Sequence, residues 1–214
     1  MRLLSKLTFI LFTAMFLSAC GEEEYVYPNL ITEISCLKTN SEGFGVQIIT
    51  DNGTVWDLKE GNRPDNLTAD SVYRVVSRFT PIADSEAVAY SFWKVISPLP
   101  KPESEYESIR LDPVDIQSIW RSGNYLNMIL QVMVKDKEHE LSFIDNGIIP
   151  NNNGTRTLYL TLFHHRKDDV EGFMQKYYLS VPLWHYQEKL NKSDSIVFQV
   201  NTYKEGMTSR TFIY

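Results

Sequence analysis

From Leu30 onward, hydrophobic and polar residues alternate in short stretches rich in Val, Ile, Tyr and Phe, and clusters of Gly, Asn, Asp or Pro separate these stretches. Alternation with a period of two between turn signals predicts β-strands, and no window has the period of a long amphipathic helix. The predicted strands of the first half are Leu30–Thr39, Phe44–Thr50, Thr54–Leu58, Ser71–Pro81 and Ala87–Ser97. Five short strands with one longer connection predict an OB-like five-stranded barrel.

Two local signals refine the first half. Asp51-Asn52-Gly53 lies between the second and third predicted strands, and Asn-Gly is typical of a tight hairpin with a type I′ turn. After the fifth strand, Pro98, Pro100 and Pro102 lie among charged residues. Hydrophobic residues do not recur there at the spacing of a strand or a helix. Proline fixes φ, so this stretch predicts a semi-extended linker over residues 98–107. The linker divides an OB-like domain, residues 30–97, from a second domain, residues 108–214.

The second domain has the pattern of a β-sandwich. Seven strands are predicted, at Val114–Trp120, Tyr125–Lys135, His139–Ile144, Arg156–His165, Lys176–Pro182, Ser195–Tyr203 and Thr208–Tyr214. Seven strands in a domain of this length are typical of two packed antiparallel sheets. One helical turn is expected at Asp168–Phe173. The predicted fold class is therefore all-β, an OB-like five-stranded barrel followed by an antiparallel β-sandwich.

The first 19 residues have the pattern of a secretion signal. Arg2 and Lys6 precede an apolar run over residues 7–17 that contains no acidic residue. The run is short for a membrane span, which needs about 20 residues. The sequence Leu17-Ser18-Ala19-Cys20 resembles a bacterial lipobox, so residues 1–19 are expected to be removed and Cys20 to carry lipid. An ordinary secreted protein is the alternative.

Charge and cysteine content change with that cleavage. The formal net charge moves from −6 to −8, because Arg2 and Lys6 are lost and no acidic residue is. Such an acidic chain is not expected to bind nucleic acid, so its membrane contact is expected to be the lipid. With Cys20 acylated, Cys36 has no disulfide partner and is expected to be a small buried hydrophobic residue.

Residues 20–29 form an acidic tether. Glu22, Glu23 and Glu24 follow the lipidated cysteine almost directly. The cluster resembles the export signal that sends lipoproteins of Bacteroides-group bacteria to the outer face of the outer membrane. A solvated spacer between lipid and domain is the alternative.

Candidate chemistry in the body of the chain is sparse. His164 and His165 with Asp168 and Asp169 are the most metal-like cluster, but adjacent strand residues point to opposite faces and cannot easily share an ion. His139 and His185 are isolated in sequence and expected to be structural. No nucleophile elbow, phosphate loop or zinc-helix motif is present. The sequence therefore predicts no catalytic residues, no metal, no cofactor and no enzyme activity.

Aromatic residues suggest a contact surface. Trp56 and Trp120 are expected to lie in the two cores, because small β-domains need aromatic fill. Trp184 and Tyr186 follow Pro182 in a predicted loop and are the candidate binding surface.

Several motifs together resemble one family. They are the lipobox, the five-strand N-terminal half, Asp112-Pro113-Val114, Trp120, Gly123-Asn124-Tyr125-Leu126-Asn127, His164, Asp168-Asp169-Val170-Glu171 and Val200-Asn201-Thr202-Tyr203. They are similar to those of the NigD-like lipoproteins. The resemblance implies an N-terminal OB-fold domain, a C-terminal β-sandwich and a name taken from a bacteriocin gene cluster; it implies no assigned biochemical role.

The expected function is that of a lipid-anchored, surface-exposed outer-membrane protein that binds a cell-envelope protein or a glycan and is held to the membrane through Cys20. One alternative is an accessory or self-protection protein of a bacteriocin-like system, and another is an envelope hydrolase. The periplasmic face of the membrane is the alternative location.

Overall fold

The computed structural model of the protein describes residues 29–59 and 64–214. The predicted signal segment, Cys20 and Glu22–Glu24 lie outside the described residues. The described chain consists of strands joined by turns and two short 3₁₀ turns, so the predicted all-β class is confirmed. No helix among the described residues has the length and apolar character needed to cross a membrane.

The first five strands close into a barrel. They are β1 (Ile31–Thr39), β2 (Gly45–Thr50), β3 (Val55–Leu58), β4 (Val72–Ala83) and β5 (Glu86–Lys94). Their order around the barrel is β1-β2-β3-β5-β4, with β3 and β5 parallel and the other pairs antiparallel. The alternation of the sequence points Leu37, Ile48 and Phe79 into a closed core. The predicted OB-like barrel is confirmed.

The β2–β3 hairpin forms where it was predicted, but its turn differs. Thr50 and Thr54 form the closing bond, with the Thr50 N–H donating to the Thr54 carbonyl at 2.9 Å. Within the turn only Gly53 has a positive φ, +90°. A type I′ turn needs two residues at positive φ, so this is a type I turn followed by a glycine bulge.

The remaining strands form two packed sheets. They are β6 (Lys101–Pro102), β7 (Asp115–Ser122), β8 (Tyr125–Val134), β9 (Glu140–Pro150), β10 (Arg156–His165), β11 (Phe173–Pro182), β12 (Ser195–Thr202) and β13 (Gly206–Ile213). One sheet has the order β13-β12-β10-β9-β6 and the other β11-β8-β7. Alternate residues such as Met128, Leu130, Leu158 and Leu160 are fully buried between them. The sandwich is confirmed, although β10 pairs with β12 and β6 with β9 in parallel.

The proline-rich segment is part of the sandwich edge and not a free linker. Lys101 pairs with Ile144 of β9. Beyond it, the ring of Tyr106 stacks on Phe163 with centroids 4.6 Å apart, and its hydroxyl donates to the Phe143 carbonyl at 3.0 Å. Pro102 lacks an N–H but is accommodated because β6 is an edge strand.

The expected helical turn at Asp168–Phe173 is absent, and that prediction is wrong. Lys167 and Asp168 have φ values of +54° and +55°, which a right-handed helix cannot contain. Phe173 is already the first residue of β11. The turn instead directs Asp169 into the sandwich, where it is buried.

Barrel and sandwich share a packed junction. The Ile96 N–H donates to the Tyr178 carbonyl at 2.9 Å, and the Ser180 N–H donates to the Ile96 carbonyl at 3.0 Å. Trp120 is half-buried against a small cluster that includes Val76 and Val95. The junction therefore brings side chains of β1, β4, β8 and β11 together.

Candidate binding site at the junction of barrel and sandwich

A buried ion pair lies at the centre of the junction. Arg74 of β4 and Asp51 of the β2–β3 hairpin are only 5% and 7% exposed at their side chains. Nη1 of the guanidinium lies 2.6 Å from Oδ1 of the carboxylate, and Nη2 donates to Oδ2 at 2.8 Å. The pair therefore combines one charge-assisted hydrogen bond with a second close contact between opposite charges.

Side chains of the sandwich form further hydrogen bonds with this ion pair. Arg74 Nε donates to Ser180 Oγ at 3.0 Å, and Nη2 donates to Asn127 Oδ1 at 3.0 Å. Asn127 Nδ2 in turn donates to Asp51 Oδ2 at 2.7 Å. The guanidinium also lies 3.7 Å from the ring centroid of Tyr125, a cation–π distance. The Arg74 guanidinium and Oδ2 of Asp51 are thus bonded to residues that follow much later in the chain.

A cleft of about 440 Å³ opens beside this network. Its size is in the range of about 300–1,000 Å³ that is usual for small-molecule sites. The residues that line it are Cys36, Val72, Tyr73, Arg74, Lys94, Val95, Ser97, Tyr125, Pro182 and Trp184. The cleft joins aromatic and aliphatic side chains to two cations, and no acidic side chain stands among these described lining residues.

Cys36 and Tyr125 form the floor of the cleft. The Cys36 sulfur lies 3.5 Å from the Tyr125 hydroxyl and 3.6 Å from Nη1 of Arg74. Burial raises the pKa of Tyr125 to about 12, so its hydroxyl keeps its proton. Cys36 is half-buried in polar surroundings, and the expectation of a buried hydrophobic residue is wrong because the junction supplies polar neighbours from the sandwich.

The two predicted surface aromatics have different environments. Both lie on the 3₁₀ turn Leu183–Tyr186, where successive side chains point in different directions. Trp184 is 42% exposed and lines the cleft. Tyr186 is 1% exposed, and its hydroxyl donates to Asp145 Oδ2 at 2.9 Å. Tyr186 is therefore a core residue, and its assignment to a contact surface is wrong.

A second constellation, a buried histidine pair, lies inside the sandwich. Nδ1 of His139 is 2.9 Å from Nε2 of His164, and Nε2 of His139 is 3.3 Å from Oδ2 of Asp169. At the other end, Nδ1 of His164 is 2.9 Å from the Asp112 carbonyl oxygen. None of the three titratable side chains is more than slightly exposed.

The hydrogens needed by this series of hydrogen bonds can be counted. The Asp112 carbonyl and the Asp169 carboxylate are acceptors, so His164 Nδ1 and His139 Nε2 must each carry a hydrogen. The contact between the rings needs a third hydrogen, whereas two neutral imidazoles supply only two. Asp169 is the carboxylate that would balance the charge of that third hydrogen. Burial lowers the pKa of His164 by more than the hydrogen bond with the Asp112 carbonyl raises it.

Each ring nitrogen of the histidine pair already has a hydrogen-bond partner, so none is open to a metal ion or a substrate. His165, the other half of the predicted metal-like cluster, pairs with Glu140 and points away from His164. Among the described residues, no three His, Cys, Asp or Glu side chains are arranged to hold a metal ion. The buried rings contact neither solvent nor the cleft.

Two carboxylates also meet near a smaller cavity of about 230 Å³, which Glu33, Asp51, Trp120 and Asn127 border. Burial, followed by the negative charge of Asp51, raises the pKa of Glu33. Asp51 itself is occupied by Arg74 and Asn127. No sequence signal connected these residues, because they come from separate strands and turns.

Comparison with known proteins identifies the family. The model of the NigD-like C-terminal beta sandwich domain matches residues 97–214, more than half of the chain. The chain belongs to the NigD-like family. A search of curated proteins found no match.

Solved structures resemble this NigD-like chain along most of its length. A NigD-like immunity protein from Bacteroides caccae is 29% identical, with 88% of this chain and 94% of that chain covered and a TM-score of 0.68. A protein of unknown function from Bacteroides vulgatus is 17% identical, with 87% and 91% covered and a TM-score of 0.69. A candidate lipoprotein from Bacteroides fragilis is 12% identical, with 86% and 97% covered and a TM-score of 0.59. The last two likenesses concern the fold alone.

Proposed function

We propose that this NigD-like protein is a lipid-anchored, surface-exposed outer-membrane protein that binds an envelope component in the cleft between barrel and sandwich and catalyses no reaction. The observation that carries the proposal is the cleft itself. It combines an exposed indole, Trp184, with an ordered floor in which Arg74 is fixed by hydrogen bonds. A preorganised floor beside an exposed aromatic ring is favourable for binding, because little side-chain entropy is lost.

A non-catalytic role agrees with where the reactive side chains lie. His139 and His164 are buried and cannot reach a substrate. At the cleft, the Tyr125 hydroxyl keeps its proton and no carboxylate among the described lining residues could act as a base. General acid–base catalysis needs such a group within hydrogen-bond reach of the substrate. The hydrolase alternative therefore has no site in the cleft or at the buried histidine pair.

Binding at the cleft is tested by crosslinking capture from envelope extracts with the soluble chain Glu22–Tyr214, which contains every described strand. We expect the parent protein to retain a component that Trp184→Ala loses. Trp93→Ala is the matched control, because Trp93 is similarly exposed, 45%, and does not line the cleft. Equal capture by Trp184→Ala and the parent would contradict the proposed site.

Location is tested by protease treatment of intact cells that carry an epitope-tagged chain, with a periplasmic protein as leakage control. We expect cleavage by the added protease without lysis, and loss of the tag from the outer surface when Cys20→Ala removes the lipidation site. Replacing Glu22, Glu23 and Glu24 by Ala should move the tag to the protected side. Protection of the parent until lysis would place the protein on the periplasmic face instead.

A second candidate function is self-protection in a bacteriocin-like system. The observation that favours it is the 29% identity, over 88% of this chain, to a protein described as a NigD-like immunity protein. Deletion of the gene should then raise the sensitivity of the strain to its own culture supernatant, and the parent chain should restore resistance. Unchanged sensitivity after deletion would remove this candidate.

A further inference from the structure

If the cleft binds an envelope component, as the proposed function states, its charged and aromatic side chains indicate the chemistry of that ligand. Arg74 and Lys94 are the two cations of the cleft. The charge of Arg74 is neutralised by its buried ion pair with Asp51. Lys94 is exposed and makes no ion pair with a described residue. The cleft therefore has one uncompensated positive charge on a protein of net negative charge, which selects for an anionic group.

The surroundings of Lys94 do not cancel this charge. Lys94 also borders a neighbouring groove that contains Glu138 and Lys176, one charge of each sign. On the cleft side, the neighbouring groups are neutral: the indole of Trp184, the phenols of Tyr73 and Tyr125, and the hydroxyl of Ser97. An anion that enters the cleft thus meets Lys94 and neutral groups.

The backbone of the cleft favours a saccharide over a peptide. β1, β4 and β8 each have a paired neighbour strand on both sides, so they offer no free edge to which a peptide strand could add. Pro182 of β11 has no N–H, and the Val95 N–H already donates to the Arg74 carbonyl at 3.2 Å. Recognition must come from side chains, namely a ring face and hydroxyl groups.

Aromatic rings and hydroxyl groups match the chemistry of a sugar ring. Trp184 offers an apolar face, 42% exposed, to the C–H face of a ring, while the Tyr125 and Ser97 hydroxyls can bond to sugar hydroxyls. Lys94 can bind a carboxylate on the same ring. We propose that the cleft binds an acidic saccharide, a sugar ring that carries a carboxylate, stacked on Trp184 with the carboxylate at Lys94.

The proposal is tested by isothermal titration of the soluble chain Glu22–Tyr214 with trigalacturonate, with sialyllactose and with the carboxyl methyl ester of each. The ester keeps the sugar shape and removes the charge. We expect at least one acid to bind, its ester to bind more weakly, and affinity for the acid to fall with added salt. Absence of binding by both acids, or equal binding of acid and ester, would overturn the proposal.

Variants of the cleft residues test where the saccharide binds. Trp184→Ala should weaken binding of the acid about tenfold, whereas Trp184→Phe, which keeps a ring face, should lose less. Lys94→Gln should weaken the acid about threefold and leave the ester unchanged. Trp93→Ala and Lys176→Gln are controls, since neither residue lines the cleft. Parent-like binding by both Trp184→Ala and Lys94→Gln would overturn the assignment.

Failure of this inference and failure of the proposed function are distinguishable. If envelope capture depends on Trp184 but no acidic saccharide binds, the cleft is a binding site for another ligand class. If neither capture nor titration depends on Trp184, both proposals fail together.

Discussion

Asp169 is the residue on which the buried histidine pair depends. Burial by itself would raise the pKa of Asp169, but backbone N–H groups of Lys135 and Asp136 donate to its carboxylate at 2.7 and 3.1 Å. These bonds and His139 hold the pKa of Asp169 well below its usual range. A carboxylate whose pKa is lowered on folding stabilises the native state above its unfolded pKa, about 3.9, and this contribution is lost as the pH falls below it.

His164 adds acid sensitivity at higher pH. Burial lowers the pKa of His164 relative to the unfolded chain, so the native state resists this protonation. A group of this kind reduces stability as the pH falls from about 6.5, the unfolded value, toward the folded pKa. Both residues therefore act in the same direction, and acidification should destabilise the sandwich in two steps.

Substitution of Asp169 tests this account. Asp169→Asn removes the carboxylate that accepts the backbone N–H groups of Lys135 and Asp136 and should lower the melting temperature at pH 7. The same variant should also have a smaller loss of stability between about pH 5 and pH 3, where Asp169 of the unfolded parent chain takes up a proton that the folded state does not. The measurement is thermal unfolding by circular dichroism across that range. Asp168→Asn is the control, since Asp168 is exposed at a positive φ that Asn tolerates. Equal melting temperatures of the two variants would contradict the role of Asp169.

The β7–β8 turn is the element that brings the sandwich against the barrel. Gly123, in this turn, has a φ of +52°, and a Cβ built on it would lie 2.1 Å from the backbone oxygen of Asp51. Only a glycine allows this approach without displacing the β2–β3 hairpin. The next residue, Asn124, accepts the Leu183 N–H at 2.8 Å and so connects the turn to the segment that presents Trp184.

Substitution of Gly123 tests how closely the β7–β8 turn packs against the barrel. Gly123→Ala should destabilise the protein by more than Gly154→Ala, because both glycines have positive φ but a Cβ at Gly154 meets no atom within 4 Å. The conformational cost alone is about 1–2 kcal/mol, and Gly123→Ala adds the clash at the junction. Urea unfolding measures the difference. Similar losses in both variants would mean that the turn is not held closely against the barrel.

At the scale of the whole molecule, the junction couples the two domains. The Arg74–Asp51 pair is satisfied jointly by the barrel and by Asn127 and Ser180 of the sandwich. Removal of one member of a buried pair leaves the other charge uncompensated, which costs about 3–5 kcal/mol. Unfolding of the sandwich would expose this pair, so the two domains should unfold together.

Arg74→Met tests the coupling. We expect strands β1–β5 to exchange amide hydrogens faster than the sandwich in this variant, whereas both exchange in one cooperative step in the parent. The barrel should open first because its buried core is the smaller of the two. Arg210→Met is the control, since Arg210 and Glu205 are exposed and 3.9 Å apart, and its cost should stay within about 1 kcal/mol. Cooperative exchange that persists in Arg74→Met would show that the ion pair does not couple the domains.

The amino-acid pattern alone was enough to predict every described strand except β6, together with the two architectures and the family resemblance. Alternation of period two is a local property, so the starts of β1, β2, β8, β10 and β12 fall within a residue of their predicted positions. The closed barrel and the sandwich follow because each apolar face has to be covered.

Which residues come into contact could be learned only from the folded arrangement of the strands. Arg74 and Asn127 are 53 positions apart and His139 and His164 are 25, and no local period relates them. The same limit explains the errors at Tyr186, Cys36 and the proline-rich segment, because a residue's neighbours across sheets and across the junction fix its burial. Trp184 could be proposed from sequence as a surface aromatic, but its place in a cationic cleft required the fold.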